Sequence, residues 1–210
     1  MGAGLLTSFR GMALALLALT ATVAGAGAQT LASLPAAVGI APRAEAKPLA
    51  AWVVFCQDYA GECAVDRTEA TKITLTPAIW ATIVSVNRRI NKAVEPMTDM
   101  DHLHVADRWD LAEDGIGDCE DFQLLKRHLL AEAGLPRRAM RMTVVIDEKG
   151  EGHAVLTLIT DRGDLVLDNK TDTILPWHRT GYVFIKRESQ DAQAWVSLGG
   201  ATSPVTTANR

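Results

Sequence analysis

Apolar positions recur at helical spacing through Ile79, Ile83, Val86, Ile90 and Val94. Thr76 can cap this stretch, Pro77 suits the first helical position and Pro96 ends it, so the pattern predicts a helix. Asn87, Arg88, Arg89, Asn91 and Lys92 fall on its other faces and are expected to meet water. A second helical pattern runs through Phe122, Leu125, Leu129 and Leu130 and stops at Ala133-Gly134-Leu135-Pro136, which sets Cys119 at or just before the first turn. Between the two lies a polar stretch, residues 96–117, with Asp99, Asp101, His102, His104, Asp107, Trp109 and Asp110; loops this long inside a small domain tend to carry function. From Met140 the period becomes that of strands: 142–146, 153–159, 165–167 and 182–185 are apolar and β-branched, separated by turn-forming residues. They predict an antiparallel meander. The apolar run 52–56 is too short to assign and reads as an edge strand or extended arm.

The ends of the 210-residue chain carry other patterns. Residues 12–24 are small or apolar with Arg10 before them and Ala26-Gly27-Ala28 after them, as in a signal peptide cleaved near residue 28. The run is shorter than the roughly 20 residues of a membrane span, so no stable membrane insertion is expected after cleavage. Residues 29–49 show no period and are read as a flexible leader, 50–198 as one domain, and 199–210 as a disordered tail. Export places the mature protein in the periplasm.

The net charge of −4 with dispersed basic residues leaves no footprint for nucleic acid. Three cysteines acquire meaning in an oxidising compartment. Cys56 and Cys63 form the natural disulfide pair, the alternative being two buried thiols. Pairing them leaves Cys119 unpaired, and so a candidate for reactivity.

A cysteine at a helix N-terminus sits where free N–H groups and the helix dipole favour the thiolate. His153, at the start of one strand, supplies a base, and Asp168, at the end of the next, a carboxylate to orient it, with Asn169 as the substitute. Taken alone the pattern also suits a core cysteine and a turn-capping aspartate. The register is a test. A two-residue turn at Arg162 and Gly163 sets Asp168 opposite Thr157, four residues and roughly 13 Å from the level of His153, which is too far. Direct pairing needs a turn near Thr160 and Asp161, or a bulge at Gly163.

Three blocks carry a resemblance: Gly117-Asp118-Cys119-Glu120-Asp121-Phe122, His153-Ala154-Val155-Leu156, and Gly163-Asp164-Leu165-Val166-Leu167-Asp168-Asn169. Over about residues 50–190 the chain resembles the bacterial transglutaminase-like cysteine proteinases. The resemblance implies an α+β, papain-like or transglutaminase-like core with the nucleophile at the N-terminus of a helix packed on an antiparallel sheet. It implies a cysteine endopeptidase working through Cys119, His153 and Asp168 and a thioester intermediate. Acyl transfer or amide hydrolysis by the same triad, and a silent binding module, are the competing readings. In the family, acidic residues beside the nucleophile are linked to calcium; by position these are Asp118 and Glu120, with Asp121 less firmly placed. Several oxygens suit a hard cation, though carboxylates in a first helical turn are also favoured without one. Some members cut a large surface adhesin in biofilm control under an inner-membrane receptor, so a protein substrate, an adhesin and a receptor are the partners implied. His102 and His104, two apart, lack further ligands for a transition-metal set. Trp109, Trp177 and Trp195 are read as core residues or cleft walls.

Overall fold

Every predicted apolar stripe needs a surface to cover, and a seven-stranded sheet provides it. The protein is seen in a computed structural model that describes residues 1–2, 29–34 and 38–202. The expected signal peptide, apart from its first two residues, and the tail from 203 onward lie outside them.

In chain order the elements are β1 (Ala44–Ala46), α1 (Ala50–Asp58), α2 (Ala60–Cys63), α3 (Pro77–Ala93), β2 (Glu95–Pro96), α4 (Asp99–His102), β3 (Ile116–Gly117), α5 (Cys119–Glu132), β4 (Met140–Ile146), β5 (Gly152–Thr160), β6 (Gly163–Leu167), β7 (Leu175–Pro176), β8 (Val183–Glu188) and β9 (Trp195–Thr202). The large sheet has the order β1-β9-β8-β4-β5-β6-β7, with every pair antiparallel. The expected meander therefore holds for β4, β5 and β6 only, and β7, in the loop that follows, adds a short pairing to β6. β8 crosses back to pair with the other edge of β4, and β9 and β1 extend the sheet from there.

α5 lies on β4 and β5, and α3 packs against α5. Strand alternation sends Ala154, Leu156, Leu158, Leu165 and Leu167 into the core beneath these helices. Val145, Val155, Val166, Tyr182 and Phe184 form a smaller apolar layer on the opposite face. Thr76 caps α3, its hydroxyl accepting from the Ile79 N–H at 3.2 Å.

Four expectations are corrected. The run 52–56 is helical: Trp52, Phe55 and Cys56 are buried at helical spacing while Val53 and Val54 face outward, a period that five consecutive apolar residues conceal. Residues 29–49 are no loose leader where they are described. Gln29 exchanges two hydrogen bonds with Ile174, Ile40 joins the second apolar layer, and β1 pairs with β9. The first part of the expected tail belongs to β9, where Gly199 and Gly200 take positive φ of 70° and 68° near the register shift against β8. Asn87 is fully buried, not wet, and donates to the Asp172 carbonyl at 3.2 Å.

Candidate active site

The polar stretch before α5 is closed at both ends. β2 and β3 pair in parallel, Glu95 with Ile116 and Pro96 with Gly117, which delivers the chain to Asp118 and Cys119 in a fixed direction. Asp121 then staples the helix start: its carboxylate accepts the Asp118 N–H at 3.2 Å and the Asp110 N–H at 2.8 Å. Gly117 is required there, because a Cβ would stand 2.8 Å from Asp121 Cβ and Oδ2. With both oxygens spent on backbone, Asp121 is an anchor and lies outside the carboxylate clusters formed by its neighbours.

Cys56 and Cys63 are joined as a disulfide and Cys119 is the free cysteine of the chain. Cys119 Sγ donates to Glu120 Oε2 at 3.1 Å and accepts the Ala154 N–H at 3.4 Å, so the thiol rests against the edge of β5. His153 is the neighbour on that strand. Its Nε2 lies 2.9 Å from Asp168 Oδ1, both side chains being buried. The register that allows this differs from each of those considered. Thr160 pairs with Gly163 across a turn at Asp161 and Arg162, and Leu156 with Leu167, so Asp168 leaves the sheet just past β6 and reaches His153 from there without direct pairing.

Asp168 is held on every side. Oδ2 accepts from the Tyr182 hydroxyl at 2.6 Å, Oδ1 from the Lys170 N–H at 3.1 Å, and its carbonyl from Lys126 Nζ and Asn91 Nδ2, each at 3.0 Å. Burial opposes its ionisation, but the hydrogen bonds from His153, Tyr182 and Lys170 outweigh that and hold the carboxyl below its usual range. The Tyr182 ring also stands edge-on to His153, with centroids 5.8 Å apart. Asn91 and Lys126 escape a reading of the sequence because they lie 77 and 42 residues from Asp168, and Tyr182 because it opens a run that reads simply as an apolar strand.

The Cys119 thiol is shifted in the direction opposite to the one the helix start favours. Burial first, and then the adjacent Glu120, push the thiol well above its ordinary value, against the pull of the helix dipole. Glu120 is itself pushed up to about 10 by burial and by Asp118, and Asp118 is raised by burial. Asp99 and Asp107 from the polar stretch join Glu120, with carboxylate oxygens within 4.8 Å of one another; Asp118, Cys119 and Glu120 gather equally closely. Asp118 Oδ1 is buried without a hydrogen-bond partner. Crowded, desolvated carboxylates with a spare oxygen are suited to a hard divalent cation. His102 pairs instead with Asp114 at 3.0 Å, and His104 Nδ1 lies 3.2 Å from the Met100 carbonyl.

Cys119, Glu120, His153 and Ala154 line a cavity of about 230 Å³, walled by Trp109 and Leu49. Trp195 is instead packed in the core against Trp52 and Trp109.

The family model for the bacterial transglutaminase-like cysteine proteinases matches residues 42–203. No curated protein matches the chain. Among solved structures, Legionella pneumophila LapG is similar at 22% identity and a TM-score of 0.50, over 62% of this chain and 72% of that one. Its calcium-bound form gives 24%, 0.50, 60% and 74%. The EGTA-treated form gives 26% and 0.46, over 52% of this chain and 62% of that one, so the chain spans less than two thirds of that relative's length. The LapG likenesses are likenesses of fold; the family match, over most of the chain, shows that this protein belongs to the bacterial transglutaminase-like cysteine proteinases.

Proposed function

We propose that the protein is a periplasmic endopeptidase cutting a protein substrate through Cys119, His153 and Asp168. The observation that carries the reading is the 2.9 Å bond between His153 Nε2 and Asp168 Oδ1 beside the free Cys119 in one cavity. An ionised carboxylate only accepts, so Nε2 carries the hydrogen and Nδ1 is the nitrogen available to the thiol. Nδ1 takes the Cys119 proton as sulfur attacks the scissile carbonyl carbon. The C–N bond breaks, the imidazolium protonates the departing amine, and His153 then activates the water that hydrolyses the thioester. The backbone N–H of Cys119, in the first turn of α5, is the oxyanion donor we assign.

Two groups of ligand atoms that share Glu120 support calcium: Asp99, Asp107 and Glu120 would hold it, with Asp118 beside Glu120 in the second group. When bound it neutralises the carboxylates that raise the thiol. A cut in the N-terminal region of a large surface adhesin, under an inner-membrane receptor, is the biology that the family resemblance supports.

The test uses the mature wild type and Cys119→Ala with the N-terminal region of a surface adhesin from the same organism. Cleavage by the wild type alone, lost in EGTA and restored by calcium, is the expected result. Cleavage by Cys119→Ala overturns the nucleophile, and full activity in EGTA removes calcium. Stable incorporation of a labelled primary amine in place of cleavage turns the reading to acyl transfer. Periplasmic fractionation of the protein checks its location.

A further inference from the structure

A second hollow adjoins the catalytic one. It has a volume of about 330 Å³ and lies between α1 and the loop before Trp109, with Ala51, Val54, Val105 and Trp109 as its apolar lining. Asp107 and Trp109 line both hollows, so the two share a wall. Val54 and Val105 are large hydrophobics left 53% and 41% exposed. Exposed apolar groups gathered beside a catalytic cavity are what a bound chain covers. The rim sets Asp58 and Asp107 against Arg108 alone and offers an acidic side chain no net attraction.

We propose that this hollow is a specificity subsite taking one bulky apolar side chain of the polypeptide substrate, a few residues from the scissile bond. The inference rests on the proteinase reading of Cys119. The wall shared with the catalytic cavity points to the occupant: a chain laid across Cys119 along Trp109 brings a neighbouring side chain toward Val54 and Val105. The lining is apolar and aromatic, so leucine, phenylalanine, methionine and tryptophan fit it, while glycine and glutamate do not.

The experiment digests a proteome-derived peptide library with the mature protein in calcium and reads the cut sites by mass spectrometry, for wild type, Val54→Asp, Val105→Asp and the nearly isosteric Val105→Thr. One position near the cut should be enriched in bulky apolar residues. The Asp variants should lower kcat/KM for such peptides by about tenfold relative to peptides with alanine there, the scale of apolar discrimination in a pocket, and Val105→Thr by less. Iodoacetamide, too small to use the subsite, reports separately whether Cys119 is activated in each protein; if an Asp variant loses that labelling, Val105→Thr decides. Cutting with no apolar preference, or a preference unchanged in the variants, overturns the subsite alone. No cutting together with an inert Cys119 overturns the proteinase reading and the subsite with it.

Discussion

Tyr182→Phe removes one oxygen from the buried layer behind His153 and leaves the ring. The phenol donates to Asp168 Oδ2 at 2.6 Å, and both residues are buried. A hydrogen bond to a charged group contributes about 1.5–3 kcal/mol, and here the partner left behind is a buried carboxylate with nothing to replace the phenol. Two consequences follow. The fold loses stability, lowering Tm by about 2–4 °C for each kcal/mol in a chain of this size. Asp168 also loses one of the bonds that hold its carboxyl low, so it moves up and supports the His153 imidazolium less well. If about half of the interaction is felt in the transition state, kcat/KM falls by about threefold to tenfold. The assay is kcat/KM against pH for a peptide cut by the wild type, beside a calorimetric scan. The acid limb of the profile, where the His153 base is lost to protonation, should move to lower pH in Tyr182→Phe, which a purely structural loss does not produce. An unchanged kcat/KM with an unmoved acid limb refutes the reasoning.

Lys126 is fully buried and its amine is pushed down to about 7, chiefly by desolvation. The unfolded chain holds that proton to a higher pH, so its contribution to stability grows as pH rises from 7 toward 10; compared by urea unfolding, Lys126→Met should lack a rise on the order of 1 kcal/mol per pH unit. Glu188 is held low: burial raises it, but Arg127, Arg141, Trp52 and the Met142 N–H outweigh that. Its stabilisation is present above the unfolded carboxylate pKa and is lost as pH falls through the lower folded value, so Glu188→Gln should flatten acid unfolding followed by circular dichroism. Asp164 binds the Ile40 N–H and Arg187, each at 2.9 Å. Asp164→Ala should cost about 3–5 kcal/mol as a broken buried pair and speed hydrogen exchange at Ile40; unchanged exchange there counts against the clamp. Replacing Cys56 and Cys63 by serine opens a link seven residues apart and should cost about 2–3 kcal/mol in calorimetry.

The helices α3 and α5 are legible because each repeats its apolar residues along one face, and β4 to β6 because burial on both faces makes them nearly continuous apolar, β-branched runs. Cys119, His153 and Asp168 were legible as residue types in order, but their register was not: the turn at Asp161 and Arg162 is set by Thr160, whose hydroxyl binds the Gly163 carbonyl at 2.7 Å. The segment around Gln29 and Ile40 looked loose because its partners, Ile174 and Asp164, lie more than a hundred residues away. Asn87 and Asn91 looked wet because a polar side chain on a helix gives no sign of the carbonyls that a distant loop presents to it. The upward shift of the Cys119 thiol is hidden in the sequence for a related reason. The helix start was visible in the sequence, while the burial that outweighs its dipole belongs to the assembled fold.

The account stands most directly on whether Cys119 is activated by His153. Mature protein in saturating calcium is exposed to a low concentration of iodoacetamide, wild type beside His153→Ala, and the modified residue is mapped. Fast labelling confined to Cys119 in the wild type, slowed by about a hundredfold or more without His153, is the predicted result, on the scale that a positioned base contributes. Slow labelling at the same rate in both proteins contradicts it and makes Cys119 a buried structural thiol.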